Sequence, residues 1–65
     1  MTFDQVLVME RMARRWSQEA VALEVGVQQG TYGKWEAGKT EPRISQAIML
    51  AAMFEIDLNA VEPRK

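Results

Sequence analysis

A glycine at position 26 separates two short amphipathic stretches, and this arrangement constrains the chain more than any other feature in it. From Ser17 to Val25 the residues suit a helix: Ser17 can cap it, and Ala20, Val21, Ala22 and Val25 supply an inward face. Gly26 suits the left-handed residue that ends a helix, and Val27 would anchor the turn. A further helix follows, with Gln28 in the cap position. It runs to about Ala37, where Gly38 closes it. Two helices joined by so short a turn meet at a sharp angle.

The flanking residues read as three more helices. Asp4 suits the N-cap of the first, with Phe3 and Val8 placed as a hydrophobic staple, and that helix runs to about Arg15. The fourth runs from Ile44 to Phe54, with Ile44, Ala47, Ile48 and Ala51 at i, i+3, i+4, i+7 spacing. Asp57 can cap a last short helix, Leu58 to Val61. No stretch alternates as a strand does. The expected fold is all-α, a compact five-helix domain spanning residues 1–65 with its helix-turn-helix at about 17–37.

A chain of 65 residues buries only about 60% of its unfolded surface. It has no cysteine for a disulfide, and with no histidine either, no metal site is expected. Stability must come from packing, which a 48% apolar composition can supply. In the third helix Gly30 and Gly33 each cost about 1 kcal/mol relative to alanine, so Tyr32 and Trp35 must hold it by packing inward. The two glycines lie either on a loosely selected solvated face or on a face that must approach something flat. Trp16 also reads as core. The apolar run Ile48 to Phe54 is wider than one inward stripe, so Met49, Ala52 and Met53 form either a self-association strip or part of a centrally buried helix.

The same run is far short of the ~20 residues a membrane span needs. No basic segment precedes an apolar one at the N-terminus, so a cytoplasmic protein is expected. With no histidine, cysteine, paired carboxylates or phosphate-binding glycine loop, neither catalysis nor a small-molecule cofactor is expected. The net charge of -1 and pI near 5.3 are unlike a dedicated nucleic-acid binder. Local charge differs: Arg11, Arg14, Arg15, Lys34, Lys39 and Arg43 outnumber Glu19, Glu24, Glu36 and Glu41 in the central window.

These residues resemble the phage-repressor-like, Cro/Xre-type helix-turn-helix DNA-binding domains, whose fold is lambda-repressor-like. The likeness covers Leu7 to Val61. It rests on Ser17-Gln18-Glu19, Val21-Ala22, Val25-Gly26-Val27, Lys34-Trp35-Glu36, Gly38-Lys39, Pro42, and the series Ile44, Ile48, Leu50, Ala51, Phe54, Ile56, Leu58, Val61.

The resemblance implies that Gln18 touches the sugar-phosphate backbone and braces the recognition helix. It places Gln28, Gln29, Thr31 and Lys34 at base or phosphate contacts, and Lys39, Thr40 and Arg43 along the duplex backbone. Glutamine suits a reading position because its amide can bond adenine N6 and N7 together. Arg11 and Glu36 match an internal ion pair, so Glu36→Gln should lower stability far more than it alters groove contacts. The chain departs from the family at Gly30 and Gly33, where relatives usually carry polar side chains. Arg15 and Glu55 replace frequent glycines at positions that favour a left-handed backbone. The implied function is sequence-specific transcriptional regulation of repressor type on double-stranded DNA, as a homodimer through the fourth and fifth helices. A protein-interaction module of antitoxin or anti-repressor type is the rival reading.

Overall fold

The computed structural model describes residues 1–62, so residues 63–65 of the expected domain lie outside the described residues. The chain forms α1 (Phe3–Ala13), α2 (Gln18–Val25), α3 (Gln29–Glu36) and α4 (Ile44–Phe54), followed by a single 3₁₀ turn, Leu58–Ala60. Among the described residues the architecture is therefore four α-helices, not five. Asp57 does cap the last segment, its carboxylate accepting from the Asn59 N–H at 3.0 Å. Four residues cannot repay helix nucleation on their own. The chain instead extends and forms an isolated bridge between Thr2 and Glu62.

The start of α1 also differs from expectation. Thr2, rather than Asp4, is the N-cap. Gln5 reaches back to accept from the Thr2 N–H at 2.9 Å, which starts the helix two residues earlier. At the other end, Arg15 adopts φ 59, and after α4 Glu55 adopts φ 56. Both are left-handed positions held by residues with a Cβ, at a cost of roughly 1–2 kcal/mol each.

The core comprises Leu7 of α1, Val21, Ala22 and Val25 of α2, Tyr32 and Trp35 of α3, and Leu50, Ala51 and Phe54 of α4. Phe3, Val27, Met53 and Ile56 pack at its margin. α3 lies against α1 and α2, and α4 lies against the same two helices.

Four expected core positions lie outside it. Ala20 is exposed, and Ile44 and Ile48 are 81% and 55% exposed. α4 is apolar almost all round, so periodicity offers two faces, and contact with α1 and α2 selects Leu50, Ala51 and Phe54. Trp16 is also partly open. One face of its indole lies on the Phe54 ring, centroids 5.6 Å apart. The Arg14 guanidinium covers both rings at 5.6 and 5.5 Å. Arg14 is fixed there by Glu10 Oε1 at 2.6 Å and the Phe54 carbonyl at 3.2 Å.

Candidate nucleic-acid interface

Local chemistry sets the corner between α2 and α3. Ser17 Oγ accepts from the Ala20 N–H at 3.0 Å and starts α2. At its end Gly26 takes φ 81, a conformation that costs glycine little. The Val27 N–H then reaches the Ala22 carbonyl at 3.0 Å, closing the helix as a left-handed cap does. α3 begins three residues after the glycine, with Gln28 at its cap position but making no side-chain cap bond.

Tyr32 and Trp35 turn into the core, their rings edge-to-face at 6.0 Å. Burying that side leaves Gln29, Gly30, Thr31 and Lys34 exposed. A Cβ at Gly30 would meet nothing within 4 Å, whereas one at Gly33 would meet Gln18 Oε1 at 3.4 Å. The two glycines are thus not equivalent. Gly30 lies on an open face, and Gly33 lies beneath a side chain from α2.

Six of the eight anticipated contact residues fall into two groups. One centres on Glu36, 5% exposed. Arg11 grips it with Nε at 2.6 Å and Nη2 at 3.1 Å, while Arg11 Nη1 donates to the Trp16 carbonyl at 2.8 Å. Gln18 Nε2 donates to Glu36 Oε1 at 2.9 Å, and Gln29 Nε2 approaches Gln18 Oε1 at 3.5 Å. The second group lines an open groove of about 510 Å³ between α3, the following loop and α4. Thr31, Lys34, Thr40 and Arg43 lie there together with Trp35, Glu41 and Gln46.

Gln28 and Lys39 belong to neither group. Gln28 is exposed at the head of α3, and Lys39 is exposed in the loop, its N–H capping α3 at the Lys34 carbonyl, 2.9 Å away. Gln46 was not anticipated. Its Oε1 accepts from the Arg43 N–H at 2.8 Å, fixing the start of α4 beside the groove. A glutamine three residues after a helix start is the sequence signal that points to it. Arg11 and Arg14 are committed to internal pairs, so positive charge around α3 is carried by Lys34, Lys39 and Arg43.

Burial opposes ionisation of Glu36. The hydrogen bonds from Arg11 and Gln18 and the adjacent Tyr32 hydroxyl outweigh it and hold the carboxyl below the usual range. The Tyr32 hydroxyl is itself buried and makes no hydrogen bond of good geometry. Burial first, and the neighbouring Glu36 carboxylate second, raise its pKa far above the ordinary 10.0.

Above that pH the unfolded chain loses the phenol proton and the folded chain keeps it, so stability falls as pH rises. We expect no contribution to pH dependence from this group at lower pH, then a decline of up to ~1.4 kcal/mol per unit. Tyr32 is the only tyrosine, so phenolate absorbance should appear together with loss of helical circular dichroism. Phenolate forming near pH 10 while the helices persist would contradict this.

Two short helices crossing through a tight turn, the second with a polar outer face, define a helix-turn-helix protein. The chain belongs to the Cro-type helix-turn-helix family, which it matches over residues 7–61, and with that membership comes the family's general role in DNA-binding regulation. No curated protein and no solved structure matches it. Among the described residues, no helix is long and apolar enough to cross a membrane.

Proposed function

We propose that this chain is a sequence-reading transcriptional regulator of repressor type, acting in the cytoplasm as one helix-turn-helix domain over residues 1–65. It lays α3 in the major groove of double-stranded DNA, with Gln18, Gln28, Gln29, Thr31, Lys34, Lys39, Thr40 and Arg43 as contacts. The observation that carries this reading is the outer face of α3. Tyr32 and Trp35 are buried while Gln29, Thr31 and Lys34 are exposed, with Gln18 on one side and the Arg43 groove on the other. Gln29 has the amide that suits adenine, and the cations suit phosphates.

The test is binding to random duplex DNA and to the DNA upstream of the coding region, across a salt series. Preference for the upstream DNA with a steep salt slope is expected. Lys34→Ala should reduce that slope by about one, as loss of a single phosphate contact does. A slope unchanged by the substitution would assign Lys34 elsewhere.

In this reading two copies occupy half-sites about one helical turn apart. Ile44 and Ile48, one turn apart on α4, are exposed together with Met49 and Leu58, and exposed apolar patches mark interfaces. We assign the pairing of copies to this surface. Sedimentation at high micromolar concentration should show a dimer that Ile48→Glu converts to a monomer; a monomeric native protein would remove the assignment.

A second reading gives the fold a protein partner of antitoxin or anti-repressor type. It is favoured by an open apolar groove of about 430 Å³ where Trp16, Leu23 and Met53 meet beside Glu24. Absence of DNA binding at low salt would select it.

A further inference from the structure

Glu36 has a third partner besides the two nitrogens of Arg11, and that partner leads to the recognition helix. Its Oε1 accepts from Arg11 Nη2 and from Gln18 Nε2, at 3.1 and 2.9 Å. An ionised carboxylate can only accept hydrogen bonds, so it dictates which end of a neighbouring amide faces it. Gln18 must turn its NH₂ toward Glu36 and its carbonyl oxygen away.

That oxygen lies toward α3, 3.5 Å from Gln29 Nε2. Gln29 meets an acceptor there and presents its own NH₂, which leaves its carbonyl oxygen and one amide hydrogen for other partners. Gly33 completes the arrangement. A Cβ at this position would sit 3.4 Å from Gln18 Oε1, and a longer side chain would compete for the space the amide occupies. The orientation of an exposed glutamine is thus inherited, through Gln18, from a carboxylate that is 5% exposed.

We propose that Glu36 is a positioning residue for base readout: acting through Gln18, it fixes the amide orientation of Gln29 and with it the base that Gln29 accepts. This rests on the DNA-reading function proposed above. A carbonyl oxygen beside a free amide N–H matches the N6 donor and N7 acceptor of adenine. Glu36 exerts this selection without touching DNA.

Sites selected from a randomised duplex library by the native protein, by Glu36→Gln and by Gln18→Met provide the test. A glutamine at 36 can donate as well as accept, so the polarity of the relay is lost. Gln18→Met breaks the next link while leaving the Arg11–Glu36 pair intact, and serves if Glu36→Gln fails to fold. Both variants should relax the same single position of each half-site, on the order of ten-fold, with the other positions unchanged.

Preferences that survive in both variants while binding weakens uniformly would make Glu36 purely structural and overturn the proposal. A native protein that selects no sequence would remove the DNA reading itself, before any variant is compared. The relay also has a signature in the DNA-free protein. One Gln18 side-chain amide proton should be protected from exchange in ¹⁵N spectra and lose that protection in Glu36→Gln. Two equally unprotected protons in the native protein would overturn the relay whatever the DNA result.

Discussion

Replacing Arg11 with methionine is expected to leave the protein largely unfolded at room temperature. The Arg11 side chain is 16% exposed and grips the Glu36 side chain, 5% exposed, and stranding such a charge costs about 3–5 kcal/mol. A chain of this length has only about 3–10 kcal/mol in total, taking the usual stability per residue. Arg11 also holds the Trp16 carbonyl at 2.8 Å, so the entry to α2 loses its anchor in the same step. Urea unfolding followed by circular dichroism measures the loss. The pair as a unit is worth much less than either half, because an apolar replacement of both charges avoids their desolvation. The double variant Arg11→Met with Glu36→Leu should therefore recover most of the loss.

The dependence on pH separates this account from a simple loss of packing. In the native protein Glu36 has a depressed pKa, so its contribution is present above the ordinary carboxylate range. It is lost as pH falls through the lower folded value. Without Arg11 the buried carboxyl favours its neutral form, and the sign reverses. The Arg11→Met protein should be relatively more stable in mild acid than at neutral pH, whereas the native protein keeps this contribution there and loses it only at lower pH. A variant that tracks the native acid profile would refute the stranded-charge explanation.

Phe54→Ala is the second change expected to be severe, at about 3–5 kcal/mol. Phe54 is 1% exposed and closes the core at the end of α4. Its ring also supports Trp16 and lies under Arg14. Alanine leaves a cavity in the core and removes the surface on which the indole rests. Urea unfolding should show the loss, and tryptophan fluorescence should move to the red even in the fraction that remains folded. A loss under 1 kcal/mol would mean that Trp16 or Met53 collapses into the space.

What could be read from the chain was whatever local chemistry fixes. Ser17 and Gly26 bound α2 through their own hydrogen bond and backbone angle, and the left-handed turns at Arg15 and Glu55 follow from positions where relatives carry glycine. The inward pair Tyr32 and Trp35 follows from spacing alone, since nothing else on α3 is large and apolar.

What could not be read depends on partners distant in sequence. α4 is so uniformly apolar that its pattern favoured Ile44 and Ile48, and only packing against α1 and α2 turns Leu50 and Phe54 inward. Trp16 looked internal because it is large and apolar, yet it covers Phe54 from outside. The expected fifth helix tightens to a single 3₁₀ turn because so short a segment cannot repay helix nucleation. At the proposed interface, the family resemblance nominated Gln18 and Gln29 separately. That Gln18 donates to Glu36 while facing Gln29 emerges only in three dimensions, since Gln18 and Glu36 are far apart in the chain.

Arg15 and Glu55 hold left-handed backbone at the two chain segments that meet around Trp16 and Phe54. Each of these joints spends free energy that a glycine would largely save, and neither side chain belongs to the proposed contact set. The domain thus carries unused headroom in its corners, separate from the residues proposed to meet DNA. A laboratory selection for heat resistance would find its first gains at positions 15 and 55, and could take them without touching the proposed contact residues.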